Sequence, residues 1–159
     1  MHTAYLLTGS NLGNRVNYLQ QAIQLIQQYC GTVKQLSSFY QTAAWGVTDQ
    51  PDFYNQALVL NTELPPGKLM QALLQIEQEM GRKRDIKMGP RVIDIDILLI
   101  DEEVINTPQL TIPHPFLAER RFALMPLAEI APEAIHPLLH KTVQELLIDC
   151  LDTLSVNKI

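Results

Sequence analysis

Only two cysteines, Cys30 and Cys150, occur in the 159 residues, and no CxxC spacing is present. This leaves no disulfide framework to read, and a reduced, cytoplasmic setting is the simplest reading. Long apolar runs are missing as well. No stretch approaches the roughly 20 apolar residues that span a bilayer, so no membrane partner is expected. The opening residues, Met1-His2-Thr3-Ala4-Tyr5-Leu6-Leu7, have no basic leader and no cleavage-site pattern, and read as a strand. Charged residues make up 18% against 47% apolar, which excludes global disorder. There is no internal repeat and no low-complexity linker, so residues 1–159 are read as one domain, long enough to bury a full core.

Net charge is −5, which argues against a general nucleic-acid binder. Its distribution says more than its sum. Arg82, Lys83, Arg84, Lys87 and Arg91 fall within ten residues, offset only by Asp85, and Arg120-Arg121 form a second basic point. Residues 82–91 carry +4 and Glu119-Arg120-Arg121 carries +1, which leaves −10 on the remainder. One concentrated basic loop on an acidic protein suits a compact, highly anionic ligand. The bland alternative is a solvated charge run.

Periodicity gives a strand over residues 3–9 and a turn-rich loop, Gly9-Ser10-Asn11-Leu12-Gly13-Asn14. A helix follows, capped by Asn14 and stopped by Gly31, with Val16, Leu19, Ala22, Ile23 and Ile26 at helical spacing. Residues 32–40 read as a strand and Phe53 to Leu64 as another. Pro65-Pro66-Gly67 opens a helix over about 67–80, striped by Leu69, Leu73, Ile76 and Met80. Residues 92–100 are a strand, with a short one near Glu103-Val104-Ile105 expected to pair with it. Six prolines punctuate the last third, and residues 142–151 form a closing amphipathic helix. The order β-α-β-β-α-β resembles a ferredoxin-like α+β plan, an antiparallel sheet with helices against one face.

Asp94 and Asp96 are the sharpest chemical signal. Two apart on a strand, they share one face, while Ile93, Ile95 and Ile97 fill the other. Burying two unpaired carboxylates would be costly, and a divalent cation removes that cost. Hard oxygen ligands completed by substrate phosphates describe Mg²⁺. A pair of aspartates facing water is the bland alternative. The neighbouring basic loop, bracketed by Gly81 and Gly89-Pro90, tips the balance, because phosphoryl transfer needs both metal and cations around moving negative charge. His136 and His140 are four apart, but Pro137 lies between them, so a surface or packing role is expected.

Several segments carry a resemblance that runs, in order, through nearly the whole chain. They are Gly9-Ser10-Asn11-Leu12-Gly13, Ser38-Phe39-Tyr40-Gln41-Thr42 and Asp49-Gln50-Pro51-Asp52-Phe53-Tyr54-Asn55. Gly89-Pro90-Arg91-Val92-Ile93-Asp94-Ile95-Asp96-Ile97 is the most specific. Pro113-His114-Pro115, Arg120-Arg121-Phe122 and Pro126-Leu127-Ala128-Glu129-Ile130-Ala131-Pro132 follow. In these segments the chain resembles the 6-hydroxymethyl-7,8-dihydropterin pyrophosphokinase family. The resemblance implies a ferredoxin-like α+β fold and transfer of diphosphate from ATP to 6-hydroxymethyl-7,8-dihydropterin, with AMP as the other product, in folate biosynthesis. It implies that Asp94 and Asp96 hold two Mg²⁺. Arg82 and Arg91 would stabilise the transferring diphosphate. Arg84, Lys87, His114 and Arg120 would contact ATP, and main-chain groups near Ile97 and Thr111 would read adenine. Asn55 would bond the pterin edge with Thr42 nearby, and Phe53 and Phe122 would sandwich the ring. ATP and the pterin are the expected partners, and the enzyme is expected to be a monomer. The chain departs from the family pattern at Phe53, where tyrosine is common, and at Pro115, where tyrosine can occur.

Two other readings fit parts of the chain. A Mg²⁺-dependent nucleotidyltransferase also joins Gly-Ser to D-x-D, but at short spacing, whereas Ser10 lies 84 positions before Asp94. A non-catalytic ferredoxin-like anion-binding module has no need of a carboxylate pair beside the cations.

Overall fold

The computed structural model describes residues 1–43, 50–81 and 92–159. Strand β1 (His2–Ser10) leads to α1 (Arg15–Tyr29), and the Asn14 side chain caps that helix by accepting the N–H of Asn17 at 3.1 Å. Leu19, Ala22 and Ile26 are its buried stripe. Gly31 follows because a side chain there would run into the carbonyl of Asn61 on the facing strand.

The expected single strand over 32–40 is two strands, β2 (Thr32–Leu36) and β3 (Tyr40–Thr42). The break has a cause. Ser37 keeps one ladder bond, its N–H to the Ala57 carbonyl at 2.9 Å, but its hydroxyl replaces its carbonyl in the other, with Oγ accepting the N–H of Ala57 at 2.9 Å. Its carbonyl accepts from the Gln56 side chain at 2.9 Å. Strand β4 (Phe53–Thr62) then crosses the molecule, followed by α2 (Pro66–Glu79), which buries Leu69, Leu73 and Ile76, and by β5 (Asp94–Ile100). The short strand near residue 105 does not pair with β5 as expected. It is β6 (Ile105–Asn106), and it forms a hairpin with β7 (Thr111–Ile112).

The proline-rich last third holds a helix that its prolines hide. After a short 3₁₀ turn at Leu117–Glu119 comes α3 (Arg121–Ile130), with Pro126 inside it. Pro126 has no N–H to give the carbonyl of Phe122. Burial of Ala123, Leu124 and Leu127 outweighs that loss. A small hairpin, β8 (Ile135–His136) and β9 (Lys141–Thr142), feeds α4 (Val143–Asp149), which opens on a capping box between Thr142 and Glu145. The last strand is β10 (Val156–Lys158). Within the hairpin, His136 Nδ1 accepts the N–H groups of Leu138 and Leu139 at 3.2 and 3.1 Å, the packing role expected of it.

The main sheet runs β10-β3-β4-β1-β5, with β2 also on β4, and its pairings are antiparallel. This is the expected ferredoxin-like α+β sheet. Helices cover both of its faces rather than one. Leu6, Leu58, Leu60, Ile95 and Ile97 pack with α1 and α2. Leu7, Ala57, Leu98 and Leu99 pack with α3 and α4. Opposite Tyr5 and Leu6 the β1–β5 register shifts by one, so Leu98 and Leu99 both enter the second core. Cys30 and Cys150 are buried free thiols in separate cores, and burial raises the Cys30 thiol to about 11. No helix among the described residues is long and apolar enough to cross a membrane.

Candidate active site

Register assembles the site. Asn55 lies opposite Tyr40 on one side and opposite Gly9 on the other, and Gly9 lies opposite Asp94. A row of residues therefore crosses β3, β4, β1 and β5 on one face, since paired residues point the same way. A parallel row joins Ala57, Leu7 and Asp96, and Thr42 lies opposite Phe53. These rows occupy the face that α3 covers, near the start of that helix. There Leu7, Gly9, Thr42, Phe53, Asn55, Asp94, Asp96, Arg120 and Phe122 line one open-mouthed cavity with about 510 Å³ of empty space in and above it.

Seven of the expected site residues thus meet in one cavity, although they span residues 42 to 122. Asp94 and Asp96 share the cavity face, as the strand alternation requires. Asn55 is buried and donates from Nδ2 to the Thr42 hydroxyl at 2.7 Å, which fixes the amide. It leans over Gly9, where a Cβ would lie 2.5 Å from Asn55 Oδ1. Arg120 reaches the cavity along two rings, with its guanidinium carbon 5.1 Å from the Phe116 centroid and 5.5 Å from that of Phe122.

Ile97, Thr111 and His114 do not line this cavity. The Ile97 side chain is in the first core, and Thr111 is exposed on β7. The His114 N–H bonds the Leu98 carbonyl at 2.9 Å, so this segment runs along the outer edge of β5. His114 Nδ1 accepts the N–H of Phe116 at 3.2 Å, which leaves its proton on Nε2. Burial, reinforced by the Arg120 charge and opposed by Asp94, lowers its pKa to about 4, so the ring is neutral at pH 7. Arg82, Arg84, Lys87, Arg91 and Trp45 lie outside the described residues.

Two glutamates not anticipated as site residues bond strands that carry cavity residues. Glu77 on α2 accepts the N–H of Ile95, between the two aspartates, at 2.8 Å. Nothing in its local sequence separates it from a solvated helix residue. Glu129 on α3 accepts from Ser38 and Tyr40. Its signal was its place in the Pro126–Pro132 segment.

A sheet face that offers a carboxylate pair, an arginine, an amide and two aromatic rings to one cavity defines an α+β group-transfer enzyme. Comparison with known proteins makes this specific. Residues 5–132 match the family model described as 7,8-dihydro-6-hydroxymethylpterin-pyrophosphokinase (HPPK). A 2-amino-4-hydroxy-6-hydroxymethyldihydropteridine pyrophosphokinase of Aquifex aeolicus is 43% identical over 145 residues, covering 91% of this chain and 90% of that one. The protein of the same name from Bacillus subtilis is 47% identical over 131 residues, covering 82% and 78%. Among solved structures, a Plasmodium falciparum HPPK-DHPS superimposes with a TM-score of 0.72 at 18% identity, over 94% of this chain and 43% of that longer one, a likeness of fold alone. The chain belongs to the 7,8-dihydro-6-hydroxymethylpterin-pyrophosphokinase family. Its activity is that of a pyrophosphokinase in folate biosynthesis, which removes the nucleotidyltransferase and the non-catalytic module as readings.

Proposed function

We propose that this cavity seats 6-hydroxymethyl-7,8-dihydropterin beside Mg²⁺-bound ATP and passes the terminal diphosphate of ATP to the pterin hydroxymethyl group. One observation carries the reading. An amide and two aromatic rings share a cavity with a carboxylate pair two strands away. A flat polar heterocycle calls for the first set and a metal–triphosphate for the second.

The residues fit the metal. Asp94 and Asp96 supply hard oxygen donors from one strand face at the cavity, the donor type Mg²⁺ takes when phosphates complete its shell. Two such ions, held by Asp94 and Asp96, would offset the negative charge of the phosphates. The chain's own side chains do the rest. Phe53 and Phe122 hold the ring, and Asn55, fixed by Thr42, bonds its edge. Arg120 and the neutral His114, donating from Nε2, contact phosphate or ribose, and main-chain groups near Ile97 and Thr111 read adenine. Arg84 and Lys87 draw in the triphosphate. Arg82 and Arg91 meet the charge that develops on the transferring group. The hydroxymethyl oxygen attacks the β-phosphorus in line and gives up its proton. The bond from that phosphorus to the α,β-bridging oxygen breaks, and AMP leaves with the bridging oxygen. Action in the cytoplasm is supported by the two buried free thiols.

Incubation with ATP, Mg²⁺ and the reduced pterin alcohol tests this. AMP and the pterin diphosphate should form in equal amounts, and neither should form with EDTA. ADP or free diphosphate as the nucleotide-derived product would overturn the reading.

A further inference from the structure

Two of the sequence segments singled out above have no part in the chemistry described so far: Ser38-Phe39-Tyr40-Gln41-Thr42, apart from Thr42, and Pro126 to Pro132. The structure joins them through one carboxylate. Glu129 Oε2 accepts the Ser38 N–H at 3.0 Å and the Ser38 hydroxyl at 3.1 Å. Glu129 Oε1 accepts the Tyr40 hydroxyl at 2.7 Å. Lys158, on the neighbouring β10, brings its Nζ to 3.8 Å from the same oxygen. We infer that Glu129 is a positioning residue for the pterin slot, a clip that sets the distance between α3 and β3 and so between Phe122 and the Thr42–Asn55 pair.

The geometry is that of two elements tied at one end with a binding slot at the other. Phe122 and Glu129 are seven residues apart on α3, two turns and about 10 Å, and therefore share a face. Tyr40 and Thr42 are two apart on β3, about 7 Å, and also share a face. That the Tyr40 hydroxyl reaches Glu129 shows that this strand face looks at α3. Thr42 then looks toward the start of the same helix, where Phe122 joins it on the cavity wall. Tyr40 is also the strand partner of Asn55, so the clip holds the row that carries the pterin-edge amide.

The clip is built to be stiff. Tyr40 is 5% exposed, and the Glu129 side chain is about one-quarter exposed, at 27%. Three donors on two oxygens leave the carboxylate little rotational freedom, and hydrogen bonds to an ionised acceptor are the stronger kind. Burial would raise the Glu129 pKa, but the bonds from Tyr40 and Ser38, with Lys158 nearby, prevail and hold it below its ordinary 4.5. The Tyr40 phenol is pushed up to about 12 by burial and by the same bond and charge. At neutral pH the pair is a carboxylate accepting from a neutral phenol, the form the geometry requires.

The inference rests on the reading of the cavity as a pterin site, and the test separates the two. Calorimetric titrations would measure 6-hydroxymethyl-7,8-dihydropterin in the presence of Mg²⁺ and an ATP analogue with a methylene in place of the α,β-bridging oxygen. The analogue alone would be titrated separately. Glu129→Ala should weaken pterin binding about tenfold and change analogue binding less than about twofold. Glu129→Gln, which keeps an acceptor, should recover most of the loss. Tyr40→Phe should show the same selectivity with a smaller loss, and it serves where the alanine variant does not fold. Asn55→Ala is the control for the slot. If Asn55→Ala weakens the pterin and Glu129→Ala and Tyr40→Phe do not, the clip has no such role. Equal losses for both ligands in Tyr40→Phe would also overturn it, because a general loosening of the fold would then account for them. If Asn55→Ala leaves pterin binding unchanged, the pterin reading itself falls, and this inference with it.

Discussion

The Glu77 carboxylate on α2 takes the N–H of Ile95 at 2.8 Å, and Ile95 is the residue between Asp94 and Asp96. Strand β5 is the last strand of the sheet, so a helix side chain supplies the partner that a further strand would otherwise give. Glu77 is only 3% exposed. The backbone that carries the two carboxylates is thereby held from the first core.

That bond makes a prediction. Glu77→Ala leaves the Ile95 N–H buried without its acceptor, at a cost of about 1–3 kcal/mol. Glu77→Gln should recover most of it. Urea unfolding reads the stability, and amide exchange at Ile95 reads the bond directly. With β5 less well held, Mg²⁺-dependent ATP binding should weaken more than metal-free ATP binding. An alanine variant with wild-type stability and wild-type Mg²⁺–ATP affinity would show that the bond contributes nothing.

Asp94→Asn and Asp96→Asn each remove a charge with almost no change of shape. Each should lower Mg²⁺-dependent turnover by about two orders of magnitude or more, because a site built on two hard anionic donors keeps only one. Circular dichroism should be unchanged, since neither carboxylate belongs to a hydrophobic core. ATP titrations with and without Mg²⁺ separate metal loss from nucleotide loss. Near-normal turnover in either variant would remove the metal assignment.

His114 sets a limit on acid stability. Its pKa is about 4 in the folded chain against an ordinary 6.5, so the folded state binds the proton less readily than the unfolded chain. Between these values the unfolded state holds more protons, and stability must fall as pH drops from about 6.5 toward 4. The full difference corresponds to about 3 kcal/mol. His114→Gln, which has no such titration, should flatten the fall. Urea unfolding of the metal-free protein at pH 7, 5.5 and 4.5 gives the comparison. Parallel curves for the two proteins would mean that other groups, His136 among them, carry the acid lability.

The parts of the fold that were legible are those where a local rule suffices. Asn14 caps α1, the stripe Leu69-Leu73-Ile76 places α2, and the alternation of Asp94 to Ile97 sorts two faces of β5. What could not be read was decided between distant segments. Strand β2 stops before Ser37 because the Ser37 hydroxyl serves Ala57, twenty positions away. Pro126 argues against a helix that burial then enforces. The candidate site shows the same division. Asp94 and Asp96 share a face by strand geometry, and the family motif gathered the other residues. The row Tyr40-Asn55-Gly9-Asp94 is a matter of register, which no short-range pattern carries. Glu77 looks like a solvated helix residue until the strand it holds is in place, and Glu129 was marked only by the family segment around it.

Gly9 is the sharpest test of that row. Its requirement is space rather than an unusual backbone angle, because a methyl group there would lie 2.5 Å from Asn55 Oδ1 and 3.5 Å from the Phe53 ring. Real side chains do not approach so closely, so Asn55 must swing away and its 2.7 Å bond to Thr42 must break or lengthen. The strand itself should tolerate the change, since alanine loses less backbone entropy than glycine by roughly 0.5–1 kcal/mol. Gly9→Ala should therefore melt close to the wild-type temperature, bind Mg²⁺–ATP within about twofold of wild type, and bind the pterin about tenfold less tightly. A double-mutant cycle isolates the cause. If the clash acts through Asn55, then Gly9→Ala placed on Asn55→Ala should add little further loss, because the displaced group is already gone. Fully additive losses would show that the methyl group blocks the pterin directly, and that the glycine opposite Asn55 serves the ligand rather than the amide.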